Sequence, residues 1–132
     1  MDALDRVLKK NGASAYMMVG SSDYADMRYL TRFITTDPVV YIRKIGERGY
    51  IIVSQMEYGR ALHEAATGVM TRADAGLLRI YEEERDRWRA LARIVADHAG
   101  GKVLVPPDLP YALGYHLDML AGVITDTGTI AS

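Results

Sequence analysis

The side chains most able to carry metal or general-base chemistry are three histidines, His63, His98 and His116. His63 and Glu64 open the His-Glu pair of a zinc-protease helix, yet Thr67 stands one turn later, where that motif needs its second histidine. A single helix histidine reads first as a surface or packing residue. His98 falls near a predicted helix C-terminus, where a partly protonated ring favours the helix dipole. His116 and Asp118 are two residues apart on a predicted helix and do not converge on one ion. Arg85, Arg89 and Arg93 recur every four residues in YEEERDRWRALAR, a spacing that suits an anion-binding row. Opposite charges at helical spacing, Glu83 with Arg87 and Asp86 with Arg89, favour a solvated face laced by weak pairs. Gly46 and Gly49 are followed by a strand rather than a helix, so they are turn residues and not a phosphate loop. No serine has the two flanking glycines of a nucleophile elbow. The chain has no cysteine, which excludes disulfides, thiolate catalysis and cysteine-based zinc sites. Spacing alone identifies no catalytic and no metal-ligating residue.

One further stretch mixes charge with bulk: DMRYLTRF, Asp26 to Phe33, where charged groups and hydroxyls alternate with large apolar side chains. Nine tyrosines against one phenylalanine add a compositional bias, since tyrosine can pack its ring and still present a hydroxyl at a wet surface. Half-buried rings at sheet edges would produce the same bias.

The elements that must position these residues follow from periodicity. Leu4, Val7 and Leu8 share one face of a first helix over residues 2–11, with Asp2 as its cap and Gly12 as its stop. SAYMMVG, residues 14–20, is a short apolar run suited to a strand covered on both faces. PVVYIRKIGERGYIIVS reads as an antiparallel hairpin turning around Gly46 to Gly49. Ser54 and Glu57 have capping-box spacing before a helix that runs to about Ala66. A short strand from Gly68 to Arg72 and a loop with Asp74 and Gly76 lead to a long helix over residues 79–99, whose apolar stripe includes Trp88, Leu91, Ala92, Val95 and Ala99. KVLVP is a strand, DLPYALGYHLDMLAG a helix with Pro110 in its first turn, and GVITD a last strand. The order α-β-α-β-β-α-β-α-β-α-β predicts a single α/β domain, a mixed central β-sheet with helices on both faces.

At 132 residues the chain suits one domain, and 49% apolar with 25% charged residues is ordinary globular composition. Sixteen basic against seventeen acidic residues leave a net charge of -1, which offers no field for nucleic acid or an anionic membrane. The charged start MDALDRVLKKNG lacks the apolar core of a secretion signal, and no apolar run reaches membrane-spanning length. A cytoplasmic location is expected, with no nucleic-acid or membrane partner.

SSDYADMRYLTRF, placed just after the apolar first strand, resembles the N-I-R-Y-L-T-G-F segment of the N-terminal domain of the creatinase/prolidase/aminopeptidase P family; Arg28, Tyr29, Leu30, Thr31 and Phe33 match it. The hairpin, the helix EYGRALHEA, the long helix, GKVLVPPDLPY and VITDTGTIAS follow in the same order, so the resemblance covers essentially all of residues 1–132. Two positions depart from it: Asp26 stands where asparagine is usual, and Arg32 where glycine is usual.

The resemblance implies a creatinase/prolidase N-terminal-like domain of a Xaa-Pro dipeptidase-like metallopeptidase. Members of that family carry a second, C-terminal catalytic domain of pita-bread fold, in which two Asp, one His and two Glu hold two divalent metals. That domain is absent from this chain, which is therefore expected to hold no cofactor and to be non-catalytic by itself. The implied partners are the catalytic domain of the parent protein and a second copy in a dimer or other homo-oligomer, with the N-terminal domain closing over the active site. On this reading Tyr29, Leu30 and Phe33 pack a short helical turn, while Asp26, Arg28 and Arg32 point toward a substrate cleft; the alternative is that all three are solvated loop charges. The rival reading is a stand-alone peptide- or protein-binding module of the same fold.

Overall fold

The structure, a computed structural model, describes residues 2–126. Met1 and the end of the matched sequence pattern, Thr127 to Ser132, lie outside the described residues. Helix α1 (Ala3–Asn11) starts where the Asp2 carboxylate accepts from the Asp5 amide and stops at Gly12, whose left-handed φ of 67° lets its N–H reach back to the last turn. Then follow β1 (Ala15–Gly20), α2 (Ala25–Thr31), β2 (Val39–Lys44), β3 (Tyr50–Val53), α3 (Gln55–Glu64) and β4 (Gly68–Thr71). Helices α4 (Arg72–Ala75), α5 (Leu77–Glu83) and α6 (Arg87–Ala99) precede β5 (Val103–Val105), α7 (Tyr111–Ala121) and β6 (Val123–Thr125).

The six strands form one sheet in the order β4-β3-β2-β1-β5-β6. β2 runs antiparallel to β1 and β3, and the outer pairs β3–β4, β1–β5 and β5–β6 are parallel, so the sheet is mixed as expected. Alternation along β1 sorts the core into two layers. Ala15 and Met17 pack with Val40, Ile42, Ile52, Val103 and the inner faces of α5, α6 and α7. Tyr16 and Met18 face the other way, onto Leu4 and Leu8 of α1, Met27 and Phe33 around α2, and Ala61 of α3. Helices therefore cover both faces.

Local chemistry differs from the sequence expectation at three places. Ser54 occupies the N-cap of α3 but its side chain makes no cap bond; the reciprocal capping box is Thr71 with Asp74, which opens α4. The expected long helix over 79–99 is broken: α5 ends at Glu83, and α6 starts afresh after Asp86, whose carboxylate accepts from the Trp88 and Arg89 amides. A carboxylate directly before a helical run accepts from the amides two and three residues on and starts a new cap, instead of continuing the preceding helix. As a consequence Trp88 sits in the first turn of α6, 40% exposed, rather than in the core stripe; Leu91, Ala92, Val95 and Ala99 of that stripe are buried.

The predicted hairpin is present, and its turn is fixed from outside. Gly46 adopts a φ of 76°, and its N–H donates to Asp5 Oδ1 at 2.9 Å. Arg43 donates to the same oxygen and to Asp2 Oδ2, both at 2.8 Å, tying α1 to β2 through a largely buried ion pair. Gly49 has a different reason to be glycine: a Cβ there would collide with the Tyr41 ring.

Candidate functional site

The segment from Ser22 to Thr35 is a loop-helix-loop pinched at its base. Ser22 Oγ donates to the Thr35 carbonyl at 2.7 Å, the Thr35 N–H donates back to Ser22 Oγ at 2.9 Å, and the Ser22 N–H donates to the Thr35 carbonyl at 2.9 Å. Inside the pinch Thr31, fully buried, donates to the Met27 carbonyl and accepts from the Phe33 amide. Met27 and Phe33 are each 1% exposed and anchor the segment in the core. The Arg60 guanidinium lies 4.4 Å from the centre of the Phe33 ring and donates to the Ile34 carbonyl at 2.8 Å, while its other bonds go to Glu57 and Glu64 of α3. The rim of this segment is therefore presented on a rigid base.

The inward set is Met27, Thr31 and Phe33, with Leu30 half-buried; Tyr29, expected to pack, is 62% exposed and faces out. Helical geometry decides this, because residues 27 and 31 share a face and residue 29 lies opposite. Arg28 and Arg32 are exposed one turn apart, and with Ala25, Tyr29 and Ile34 they line a shallow hollow of about 440 Å³. Arg28 Nη1 donates to the Ser22 carbonyl at 3.0 Å, which fixes its position above the pinch. Arg32 closes α2 in the left-handed region at φ 57° and ψ 15°, and its N–H donates to the Arg28 carbonyl at 3.0 Å.

Asp26 does not join the two arginines. It is half-buried and turned toward the C-terminal ends of β5 and β6, where burial and then the charges of Asp108 and Asp126 push its pKa up. Tyr24 donates its hydroxyl to Asp108 Oδ1 at 2.9 Å in the same neighbourhood. The sequence reading missed Tyr24, Asp108 and Asp126; the signal for the two aspartates was their place just beyond strands that run parallel to β1, where loop side chains of an α/β sheet gather. The sequence-derived trio thus divides between a cationic rim, Arg28 with Arg32, and an acidic neighbourhood around Asp26.

The other residues with chemical capacity take up surface, packing and ion-pair positions. His63 is exposed. His98 bridges two elements: the Tyr50 hydroxyl lies 2.6 Å from Nδ1, and Nε2 lies 3.1 Å from the Ala75 carbonyl. A neutral ring accepting at Nδ1 and donating at Nε2 satisfies both contacts. Burial pushes the Tyr50 pKa up to about 12, which keeps that hydroxyl a donor. His116 faces Asp86 at 3.3 Å, and Asp118 instead accepts from the Val123 amide at 2.9 Å. The arginine row does not form, since Arg85 lies in the break between α5 and α6. The expected Glu83–Arg87 and Asp86–Arg89 pairs are replaced by Arg93 with Glu83 at 3.1 Å and Arg89 with Glu84 at 3.5 Å. Among the described residues no three His, Asp or Glu side chains gather as a metal site. No described helix is long and apolar enough to cross a membrane.

A mixed six-stranded α/β domain with a pinched loop-helix-loop at one sheet end defines the class, and sequence comparison makes it specific. The family profile described as the Creatinase/Prolidase N-terminal domain matches residues 1–129, and the chain belongs to that family. Among solved structures it is similar to the Xaa-Pro dipeptidase from Bacillus anthracis, with TM-score 0.67 and 16% identity over 95% of this chain and 32% of that one. It is similar to the prolidase from Pyrococcus furiosus with TM-score 0.65 and 12% identity, over 92% of this chain and 32% of that one. The creatinase/prolidase N-terminal domain of an X-Pro dipeptidase from Streptococcus pyogenes, solved as a domain, gives TM-score 0.60 and 14% identity over 93% and 88% of the two chains. The chain thus spans about a third of the length of the first two. At these identities the structural likeness shows the fold alone. No curated protein sequence matches the chain significantly.

Proposed function

We propose that this chain is the non-catalytic N-terminal domain of a cytoplasmic Xaa-Pro dipeptidase-like metallopeptidase, supporting dimer assembly and capping the active site. The observation that carries the reading is the family match over residues 1–129 in a chain that spans only about a third of the prolidases it resembles in fold. The remaining length is where the catalytic domain and its two divalent metals belong. The contribution of this domain to substrate is the cationic rim. Arg28, held over the pinch by the Ser22 carbonyl, and Arg32, one turn further, present two permanent positive charges beside the exposed Tyr29 ring. Across a cleft, such a rim holds the carboxylate of a short peptide by charge-assisted hydrogen bonds and narrows the entrance to longer ones.

The reading frame beyond codon 132 is the direct test: it should encode a pita-bread domain with two Asp, one His and two Glu ligands. In that longer protein, Arg32→Gly should raise KM for Xaa-Pro dipeptides, or relax the preference for short substrates, with kcat little changed. A stop codon at that point, or kinetics unchanged for dipeptides and longer peptides alike, overturns the assignment or the role of the rim respectively.

A further inference from the structure

At the same end of the sheet as the rim, but over its other face, α5 and α6 leave a groove of about 370 Å³ above β2 and β3. Its floor is apolar and buried: Val40, Ile52, Leu77 and Leu91 are each between 2% and 9% exposed. Tyr81 and the 40% exposed Trp88 form its aromatic walls, and Arg72 and Arg87 stand at its mouth. The break before α6 builds this arrangement, because the cap on Asp86 places Trp88 in a first turn that overhangs the floor instead of filling it.

The charge at the mouth is one-sided. No lining residue is acidic, and among the described residues neither guanidinium has an ion pair or a side-chain hydrogen bond. The acids closest in sequence are engaged elsewhere. Asp74 is turned to the Thr71 amide at 3.5 Å, and Asp86 caps α6 and faces His116. Arg87 is stacked 4.9 Å from the centre of the Tyr81 ring, which orders its guanidinium with its donors still available. A dry floor, aromatic walls and two uncompensated guanidiniums are complementary to a ligand with an apolar body and a carboxylate end. The volume lies near the small end of ligand pockets, roughly 300 to 1,000 Å³. That favours a single side chain over a long acyl chain.

We propose that this groove binds the C-terminal residue of a peptide, its apolar side chain on the Val40–Leu91 floor and its carboxylate between Arg72 and Arg87. The site is separate from the Arg28–Arg32 rim and does not depend on the peptidase reading.

The test uses the purified 132-residue chain titrated with Gly-Gly-Gly-Leu as free acid and as C-terminal amide, read by Trp88 fluorescence and, independently, by calorimetry. The acid should bind and perturb Trp88 emission, and the amide should bind about tenfold more weakly or not at all. Arg87→Gln and Arg72→Gln should each weaken the acid several-fold with melting temperatures unchanged, and Lys10→Gln, at an exposed position of α1 over the other face of the sheet, should leave binding as it is. Equal binding of acid and amide, absence of binding by both up to millimolar concentration, or binding of laurate in preference to the peptide would each overturn the proposal.

Discussion

Arg32 is the one described residue other than glycine with a positive φ, and its replacement by glycine can be reasoned through quantitatively. At φ 57° and ψ 15° an L side chain crowds the following carbonyl, which costs roughly 1–2 kcal/mol. Glycine removes that strain but adds unfolded-state freedom worth about 0.5–1 kcal/mol. The arginine side chain is exposed, so little packing is lost with it. Arg32→Gly should therefore stabilise the domain by about 0.5–1 kcal/mol, or a rise of about 2–4 °C in Tm for a chain of this size. Arg32→Ala is the control, since it removes the guanidinium and keeps the strained backbone; it should melt at or slightly below the parent. Differential scanning calorimetry on the three proteins, with urea melts to confirm an unchanged m value, makes the comparison. If the glycine variant melts no higher than the alanine variant, backbone strain is not what Arg32 imposes. If both variants lose more than about 1 kcal/mol, the guanidinium has a structural role. An arginine that persists at a position suited to glycine, at a cost in stability, is what a functional role for its charge predicts.

Three further outcomes are expected. Asp26, with its pKa raised by burial and then by Asp108 and Asp126, holds its proton more tightly in the folded state, so its ionisation weakens folding as pH rises above the unfolded value of about 4; Asp26→Asn should melt higher than the parent at pH 7 and together with it at pH 3, and equal melting at pH 7 would argue against the acidic neighbourhood. Asp5→Ala leaves the Arg43 guanidinium without its buried partner and the Gly46 amide without an acceptor, so urea denaturation should show a loss of about 3 kcal/mol, and a loss under 1 would mean that Asp2 and water replace it. Trp88→Ala should cost about 1 kcal/mol rather than the roughly 3–5 of a core tryptophan, and native emission should be that of a half-exposed indole.

The sequence by itself determined the order of the strands and of the helices outside the β4–β5 connection, where a loop and one helix were expected and α4, α5 and α6 form, because each of those elements carries its own local reason to form. The apolar run Ala15–Gly20 has the composition of a strand covered twice, the turn at Gly46 needs a left-handed residue, and Asp2 and Gly12 bracket α1 with caps that act within four residues. Family membership was legible for the same reason, as the matching residues Arg28 to Thr31 and Phe33 lie within one short segment. Tertiary structure alone decided which side chains meet. Asp26 and Arg28 are neighbours in the chain, yet α2 turns one toward Asp108 and Asp126 and the other toward Arg32 and Tyr29. The arginine row from 85 to 93 presumed one continuous helix, and the cap at Asp86 moved Trp88 out of the core and re-paired Arg89 and Arg93 with Glu84 and Glu83. Asp5 with Arg43, and Tyr50 with His98, are 38 and 48 residues apart and carry no joint mark in the sequence. Capping and periodicity act over a few residues and leave a local pattern, whereas a site is assembled by the sheet order β4-β3-β2-β1-β5-β6, which brings distant strand ends together through packing that no local pattern encodes.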